Sequence, residues 1–329
     1  MTVVERSADH LTKPEFEEQV LFGLLVSQRI RDSVMPLYGI KEYSSLQSTI
    51  LDDFVYRLDS AAEEAIGISF SEVWESGKLY GYVTEDQGLV LPPGGEAEYI
   101  FLIDPVDGSR IAQIGAEMSC VTMVGVKGTS FGTFEDIEFG ITQPIKENQI
   151  FVGVKGNGVY EIENGQTKKV EPFNSPEHLD RSISAVYQPY GISLEYQGRI
   201  LDPLLKEIGF TLTYPCDSYY ALSLIRGQNE VHLNLIKRIL ADYPELPISY
   251  GYAKPLYPMD IAAAWLMIQE LAGKITDANG NPLDTNFLWQ FNEDSSWSAN
   301  NQISWVAATN PKLHEEVLMK LQEGFNRLK

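Results

Sequence analysis

Two carboxylates, Asp104 and Asp107, stand three residues apart in the stretch Asp104-Pro105-Val106-Asp107-Gly108-Ser109. Pro105 has no amide hydrogen and Gly108 is a turn-former, so this stretch reads as a stiff turn. Oxygen ligands of little freedom beside a bare glycine backbone suit a hard cation. Alone, the stretch is also simply a good turn. Glu85, in the acidic loop Thr84-Glu85-Asp86-Gln87-Gly88, Asp260 at the head of an apolar helix, and Asp59 in an earlier helical pattern widen the set. Each has a plain structural reading: an acidic loop, a helix N-cap and a solvated helix charge. Together, carboxylates without histidine or cysteine partners form the ligand set of Mg²⁺ or Mn²⁺ rather than zinc. Paired hard cations commonly perform phosphoryl chemistry, whereas a glycosidase needs two carboxylates and not four or five.

The elements that must hold these residues follow from periodicity and breakers. Tyr99 to Ile103 is uninterrupted β-branched, aromatic and aliphatic chain, which predicts a strand buried on both faces and ending at Asp104. Leu79 to Val83 predicts the strand before Glu85. Upstream, Thr12-Lys13-Pro14-Glu15 has the form of a capping box, and apolar residues from Phe16 through Ile30 recur at helical spacing up to Pro36–Gly39. A second helix is predicted from about Thr49 through Ile66, carrying Asp59 on a face the pattern does not fix. Strands at Cys120–Gly125 and Ile137–Ile141 flank a loop rich in Gly, Ser and Thr, and Gln149–Val154 with Gly158–Ile162 reads as a hairpin. The second half alternates a strand at Ile183–Tyr187, a helix around Leu201–Ile208, a strand at Phe210–Tyr214, a helix at Ser218–Arg226 closed by Gly227, and a strand at Val231–Leu235. Ile236 to Pro258 reads as an insertion. Asp260 then caps a helix running to Leu271, Trp305–Ala308 is a last strand, and Asn310-Pro311 opens a C-terminal helix. A subdomain boundary near Ser182 follows, giving 1–182 with most candidate ligands and 183–329 with Asp260.

The 329 residues carry 25 Lys and Arg against 46 Asp and Glu, a formal charge of −21. So acidic a surface repels polyphosphate and anionic lipid, which argues against nucleic acid or membrane as partner. If the substrate is a phosphate, a bound metal ion is the natural offset to that field. Two cysteines, Cys120 and Cys216, form no metal motif or disulfide framework, and the four histidines lack ligand spacing. Met1 to Arg6 lacks an apolar leader segment, and a cytoplasmic location is the expectation.

At this point the sequence resembles the inositol monophosphatase superfamily, the Mg²⁺-dependent, lithium-sensitive phosphatases that include fructose-1,6-bisphosphatases and 3′-phosphonucleotide phosphatases. Its core motif Asp-Pro-(Ile/Leu)-Asp-Gly-(Thr/Ser) is similar to Asp104–Ser109; its Glu-Glu element to Glu85-Asp86; its Asp-x-Ala-Ala-Gly helix start to Asp260-Ile261-Ala262-Ala263-Ala264. Leu58 to Glu63, Ile137 to Gly140, Gly156 to Tyr160 and Ala307 to Pro311 extend the likeness along almost the whole chain. The resemblance implies a layered sandwich of alternating α and β layers, an α+β/α/β architecture, and a homodimer. It implies a phosphomonoesterase acting on a small soluble phosphate with two or three Mg²⁺ ions, Mn²⁺ being an alternative. Glu85, Asp104 and the carbonyl of Val106 would hold a first ion; Asp104, Asp107 and Asp260 a second. Ser109, partnered by Asp59, would orient the attacking water with Glu85 nearby, and the amides of Gly108 and Ser109 would grip the phosphate.

Departures bear on the substrate. Inositol-specific members carry a glutamate seven residues before the last metal aspartate, where this chain has Ala253. Ser109 in place of threonine is found in fructose bisphosphatase-like and archaeal-like branches. Arg110 reads either as a phosphate contact or as a solvent-facing charge, and the loop Gly128–Glu135 is longer than in compact relatives. Fructose-1,6-bisphosphatase and 3′(2′),5′-bisphosphate nucleotidase activities therefore stand beside an inositol monophosphatase-like one, as does a catalytically silent binding relative.

Overall fold

The computed structural model describes residues 16–40, 48–50, 53–55, 57–128, 132–186, 192–212, 216–245 and 256–328. The capping box at Thr12–Glu15, Ala253, the tip of the Gly128–Glu135 loop at 129–131, and residues 246–255 of the expected insertion lie outside these residues. Within them, the first half runs α1 (Glu18–Val34), β1 (Ser48–Ile50), β2 (Asp53–Val55), α2 (Arg57–Glu75), β3 (Tyr80–Thr84), β4 (Gly88–Val90) and β5 (Tyr99–Asp107). A short helix α3 (Ser109–Gln113) follows, then β6 (Cys120–Lys127), β7 (Ile137–Pro144), β8 (Gln149–Val154), β9 (Gly158–Glu163) and β10 (Gln166–Lys169). The second half runs β11 (Ile183–Val186), α4 (Leu194–Leu205), β12 (Phe210–Leu212), α5 (Asp217–Ile225), β13 (Val231–Asn234), α6 (Ile236–Asp242), α7 (Ala262–Glu270), β14 (Lys274–Asp277), β15 (Trp305–Ala308) and α8 (Pro311–Asn326).

Strands of the first half make an eight-stranded sheet ordered β10-β9-β8-β7-β6-β5-β3-β4, and those of the second a five-stranded sheet ordered β12-β11-β13-β15-β14. Alternate residues of each strand face opposite sides, and this sorts the core into slabs. Phe101 and Ile103 of β5 pack with Phe22, Ile66 and Phe70 of α1 and α2, while Ile100 and Leu102 pack with Ala262, Leu266 and Leu222 of α7 and α5. The far face of that second slab is Ile275, Trp305 and Ala307; the alternating Val306 and Ala308 join α4 and α8 through Ile200, Leu204 and Leu321. The result is the expected layered α/β sandwich, in the order helices, large sheet, helices, small sheet, helices.

The middle helix α7 packs directly on the backbone of the large sheet, and glycine permits it. A Cβ on Gly140 of β7 would stand 2.8 Å from Ala263 Cα, and one on Gly153 of β8 would stand 2.7 Å from Met267 Cγ. Two glycine-backed contacts thus fix the depth of the helix that follows Asp260.

Several local expectations are corrected. The segment from Thr49 is not helix: β1 pairs antiparallel with β2, and α2 begins at Arg57 and continues to Glu75. The stretch Ser48–Val55 is rich in β-branched and aromatic residues, which favour a strand pair. Helix α4 starts at Leu194, behind a Ser193 cap, earlier than the pattern around Leu201 indicated, and it accommodates Pro203. Part of the expected insertion is the regular helix α6. As expected, Asn310 caps α8, accepting from the amide of Leu313 at 2.9 Å.

Candidate metal centre

Strand β5 does not end at Asp104 but continues to Asp107 with a register irregularity: Asp104 lies opposite Thr122 and Asp107 opposite Cys120 on β6. The extra residue of such a bulge re-aims side chains without leaving the sheet, so pairing with β6 holds the backbone on both sides of it. Pro105 and Val106 are buried, and the Val106 amide donates to Asp104 Oδ1 at 3.0 Å. Gly108 then turns left-handed at φ +83°, where a Cβ would stand 3.2 Å from the Met118 carbonyl oxygen and 3.3 Å from Cys216 Cβ. Both conformation and space exclude a side chain there.

Asp260 arrives from the other half of the chain. It closes a 3₁₀ turn, Pro258–Asp260, and its Oδ2 accepts the Tyr257 amide at 3.0 Å. It is therefore not the N-cap of α7, which starts two residues later behind Ile261; the carboxylate is held by the preceding turn rather than spent on the helix amides. One carboxylate oxygen from each of Asp104, Asp107 and Asp260 lies within 4.8 Å of the others. Asp107 is further tied to the second half: its Oδ2 accepts the Ser218 amide at 2.7 Å and the Cys216 thiol at 3.2 Å. The sequence pattern did not mark Cys216 or Ser218 for this contact.

Asp59, Glu85, Gly108 and Ser109 line the same cleft as these aspartates, so all the sequence-predicted residues, Val106 among them, come together. Arg110, half-buried on α3, is not among the lining residues. Leu256, Tyr257 and Met259 form an apolar wall. Glu63, one turn after Asp59 on α2, was missed as a lining residue. Its spacing of four from Asp59 is the signal that both share a helix face. Its carboxylate accepts Gln87 Nε2 at 2.6 Å, and burial, reinforced by Asp86 and Glu85, raises its pKa to about 7.

The electrostatics ask for a cation. Burial lifts the carboxyl of Asp104 well above the ordinary range, and repulsion from Asp107, Asp260 and Glu85 adds to it. Asp260 is raised in the same sense, first by burial and then by Asp107 and Glu85. No lysine, arginine or histidine stands among the described lining residues. An all-oxygen donor set, with no cationic side chain among the described lining residues, fits a hard divalent ion and not a soft one.

Fold and site together define a layered α/β protein with an acidic, cation-competent centre where its two halves meet. The chain belongs to the inositol monophosphatase family, whose model matches residues 40–324. It is 20% identical over 291 residues to the bifunctional NADP phosphatase/NAD kinase of Methanocaldococcus jannaschii, covering 80% of this chain and 46% of that protein. It is 21% identical over 309 residues to the fructose-1,6-bisphosphatase/inositol-1-monophosphatase of Methanothermobacter thermautotrophicus, covering 90% of this chain and 94% of that protein. The chain spans about half the length of the bifunctional relatives, 46% and 48% in two of them. Among solved structures, an IMPase of Thermotoga maritima superposes with a TM-score of 0.67 at 13% identity, covering 95% of this chain and all of that one. No described helix is long and apolar enough to cross a membrane.

Proposed function

We propose that the chain is a Mg²⁺-dependent phosphomonoesterase for a small soluble phosphate. The convergence of the Asp104, Asp107 and Asp260 oxygens within 4.8 Å carries the reading, because carboxylates brought this close, with no cationic side chain among the described lining residues, are costly unless a cation is bound. Glu85, Asp104, Asp107, Asp260 and the Val106 carbonyl are the residues that would hold two or three ions. When bound, such ions lower the pKa of water and neutralise charge on a departing ester oxygen. The chain's own part is orientation. Ser109, with Asp59 in the same cleft, positions the attacking water, and the amides of Gly108 and Ser109 take the phosphate oxygens. The apolar wall of Leu256, Tyr257 and Met259 meets the remainder of the substrate.

The reading divides the labour between subdomains 1–182 and 183–329, the first supplying most ligands and the second Asp260 and substrate contacts. A cytoplasmic homodimer is part of it: the two cysteines are free and buried, and the dimer rests on the family resemblance. The relatives' names widen the substrate field to NADP alongside fructose 1,6-bisphosphate and inositol 1-phosphate.

The test is phosphate release from those three, from 3′-phosphoadenosine 5′-phosphate and from a chromogenic phosphate, each with Mg²⁺ and with chelator. Release that disappears with chelator supports the reading and names the substrate. Release indifferent to chelator defeats it, and Mg²⁺ binding without release from any substrate favours a silent relative.

A further inference from the structure

Between β14 and β15, which are hydrogen-bonded neighbours in the small sheet, the chain makes a long excursion over residues 278–304. It folds back against the loop between β6 and β7 and against the segment that precedes Asp260. Leu288 donates its amide to the Gly132 carbonyl at 2.8 Å, and Ile303 donates to the Leu256 carbonyl at 3.0 Å. Between these anchors a small hairpin brings Phe291 opposite Trp297, with Asn292 donating to the Ser296 carbonyl at 2.7 Å.

Trp297, 6% exposed, occupies the junction between two ligand-bearing turns. Its indole Nε1 donates to the backbone carbonyl of Glu85 at 3.0 Å. One side of its ring packs on Phe291 at 4.9 Å between centroids, and Tyr257 packs on it at 5.1 Å. Tyr257 is the residue whose amide holds Asp260 Oδ2. Phe291 in turn lies 3.7 Å from where a Cβ of Gly88 would be, in the turn that follows Glu85. A single side chain thus touches the backbone of Glu85, from the large sheet, and the residue that orients Asp260, from the other half.

We propose that Trp297 is a positioning residue for the metal centre: it sets the separation of the Glu85 turn from the Asp260 turn, so that the excursion 278–304 controls cation affinity without supplying a ligand. The inference rests on the metal-dependent reading above. Groups that orient metal ligands from outside the coordination sphere typically alter affinity by roughly 10- to 100-fold when removed. A hydrogen bond to a backbone carbonyl, rather than to a ligand atom, belongs at the lower end of that range.

The test is Mn²⁺ binding to the full chain without substrate, followed by electron paramagnetic resonance of free Mn²⁺, beside thermal denaturation of the metal-free protein. Trp297→Phe keeps a ring in the aromatic cluster and removes the N–H; Phe291→Leu loosens the cluster and keeps the N–H. Trp289→Phe is the control, since Trp289 is buried in the same excursion against Gly132. The expected result is a dissociation constant raised about tenfold by Trp297→Phe, less by Phe291→Leu, and within twofold of the parent for Trp289→Phe. Unchanged Mn²⁺ binding in Trp297→Phe overturns the proposal, as does equal weakening by Trp289→Phe, which would mean general loosening. If the parent chain itself binds no Mn²⁺, the functional reading fails and the proposal with it.

Discussion

Asp104 is where the chain gives up stability to make a site. Its carboxyl is desolvated and faces three other carboxylates, so the metal-free protein holds its charge at a cost. Asp104→Asn should therefore stabilise the metal-free chain at pH 8, because it removes a desolvated charge that three other carboxylates repel. On the proposed reading Mg²⁺ raises the melting temperature of the parent by binding the folded state alone, and the same change should abolish that rise. Melting curves with Mg²⁺ and with chelator check both halves, and a variant less stable than the parent without metal would refute the repulsion account. Ser109, by contrast, is assigned to orientation and not to affinity. Ser109→Ala is expected to lower kcat much more than it raises KM, and equal loss in both would remove it from the water-orienting role.

Strand β5 and helix α7 bring the three aspartates together, and each does so through an irregularity. The bulge between Asp104 and Asp107 lets one strand present two carboxylates while its flanks remain paired. For α7 the device is the bare backbone of Gly140 beneath Ala263. Gly140→Ala would place a methyl group 2.8 Å from the Ala263 Cα, and because that atom is backbone the helix itself must lift. Overpacking of this kind costs about 1–3 kcal/mol. Since Ala263 is three residues from Asp260, Mn²⁺ binding should weaken as well. Urea denaturation and Mn²⁺ titration measure the two effects. Destabilisation with unaltered Mn²⁺ affinity would mean that the depth of α7 does not set the position of Asp260.

Across the whole molecule, neutral buried histidines tie stability to pH. Burial pushes His314 down to about 4, within reach of Thr276 Oγ1 at 3.0 Å and the Val306 carbonyl at 3.2 Å, and pushes His232 down to about 3. An unfolded histidine takes up a proton below about pH 6.5, whereas folded His314 does not until about pH 4. Its contribution is thus intact above pH 6.5 and is lost as pH falls toward 4, amounting to roughly 3 kcal/mol at the lower end. His314→Gln should flatten the fall by that amount relative to the parent, as seen in urea denaturation of the metal-free proteins at stepped pH. Coincident pH profiles would show that His314 is not neutral in the fold.

The motifs of the chain by themselves pointed to the class of chemistry, and the alternation of strand and helix in its second half to an α/β layer, while the full sandwich was what the family resemblance implied. Carboxylates without soft partners suit hard cations whatever the fold, and apolar periodicity marks strands and helices locally without saying how they stack. Asp104, Asp107 and Ser109 were legible because the dipeptides around them restrict the backbone locally. Only the tertiary structure decided where β5 ends, since a bulge is held by neighbouring strands and not by its own residues. It also decided that Asp260 is set by a preceding turn, that Ser218 and Cys216 grip Asp107, and that Glu63 and Trp297 approach the centre. Trp297 and Glu85 are separated by 212 positions. No local pattern records such a contact, because it exists only once two halves of the chain have packed their apolar faces against a common layer.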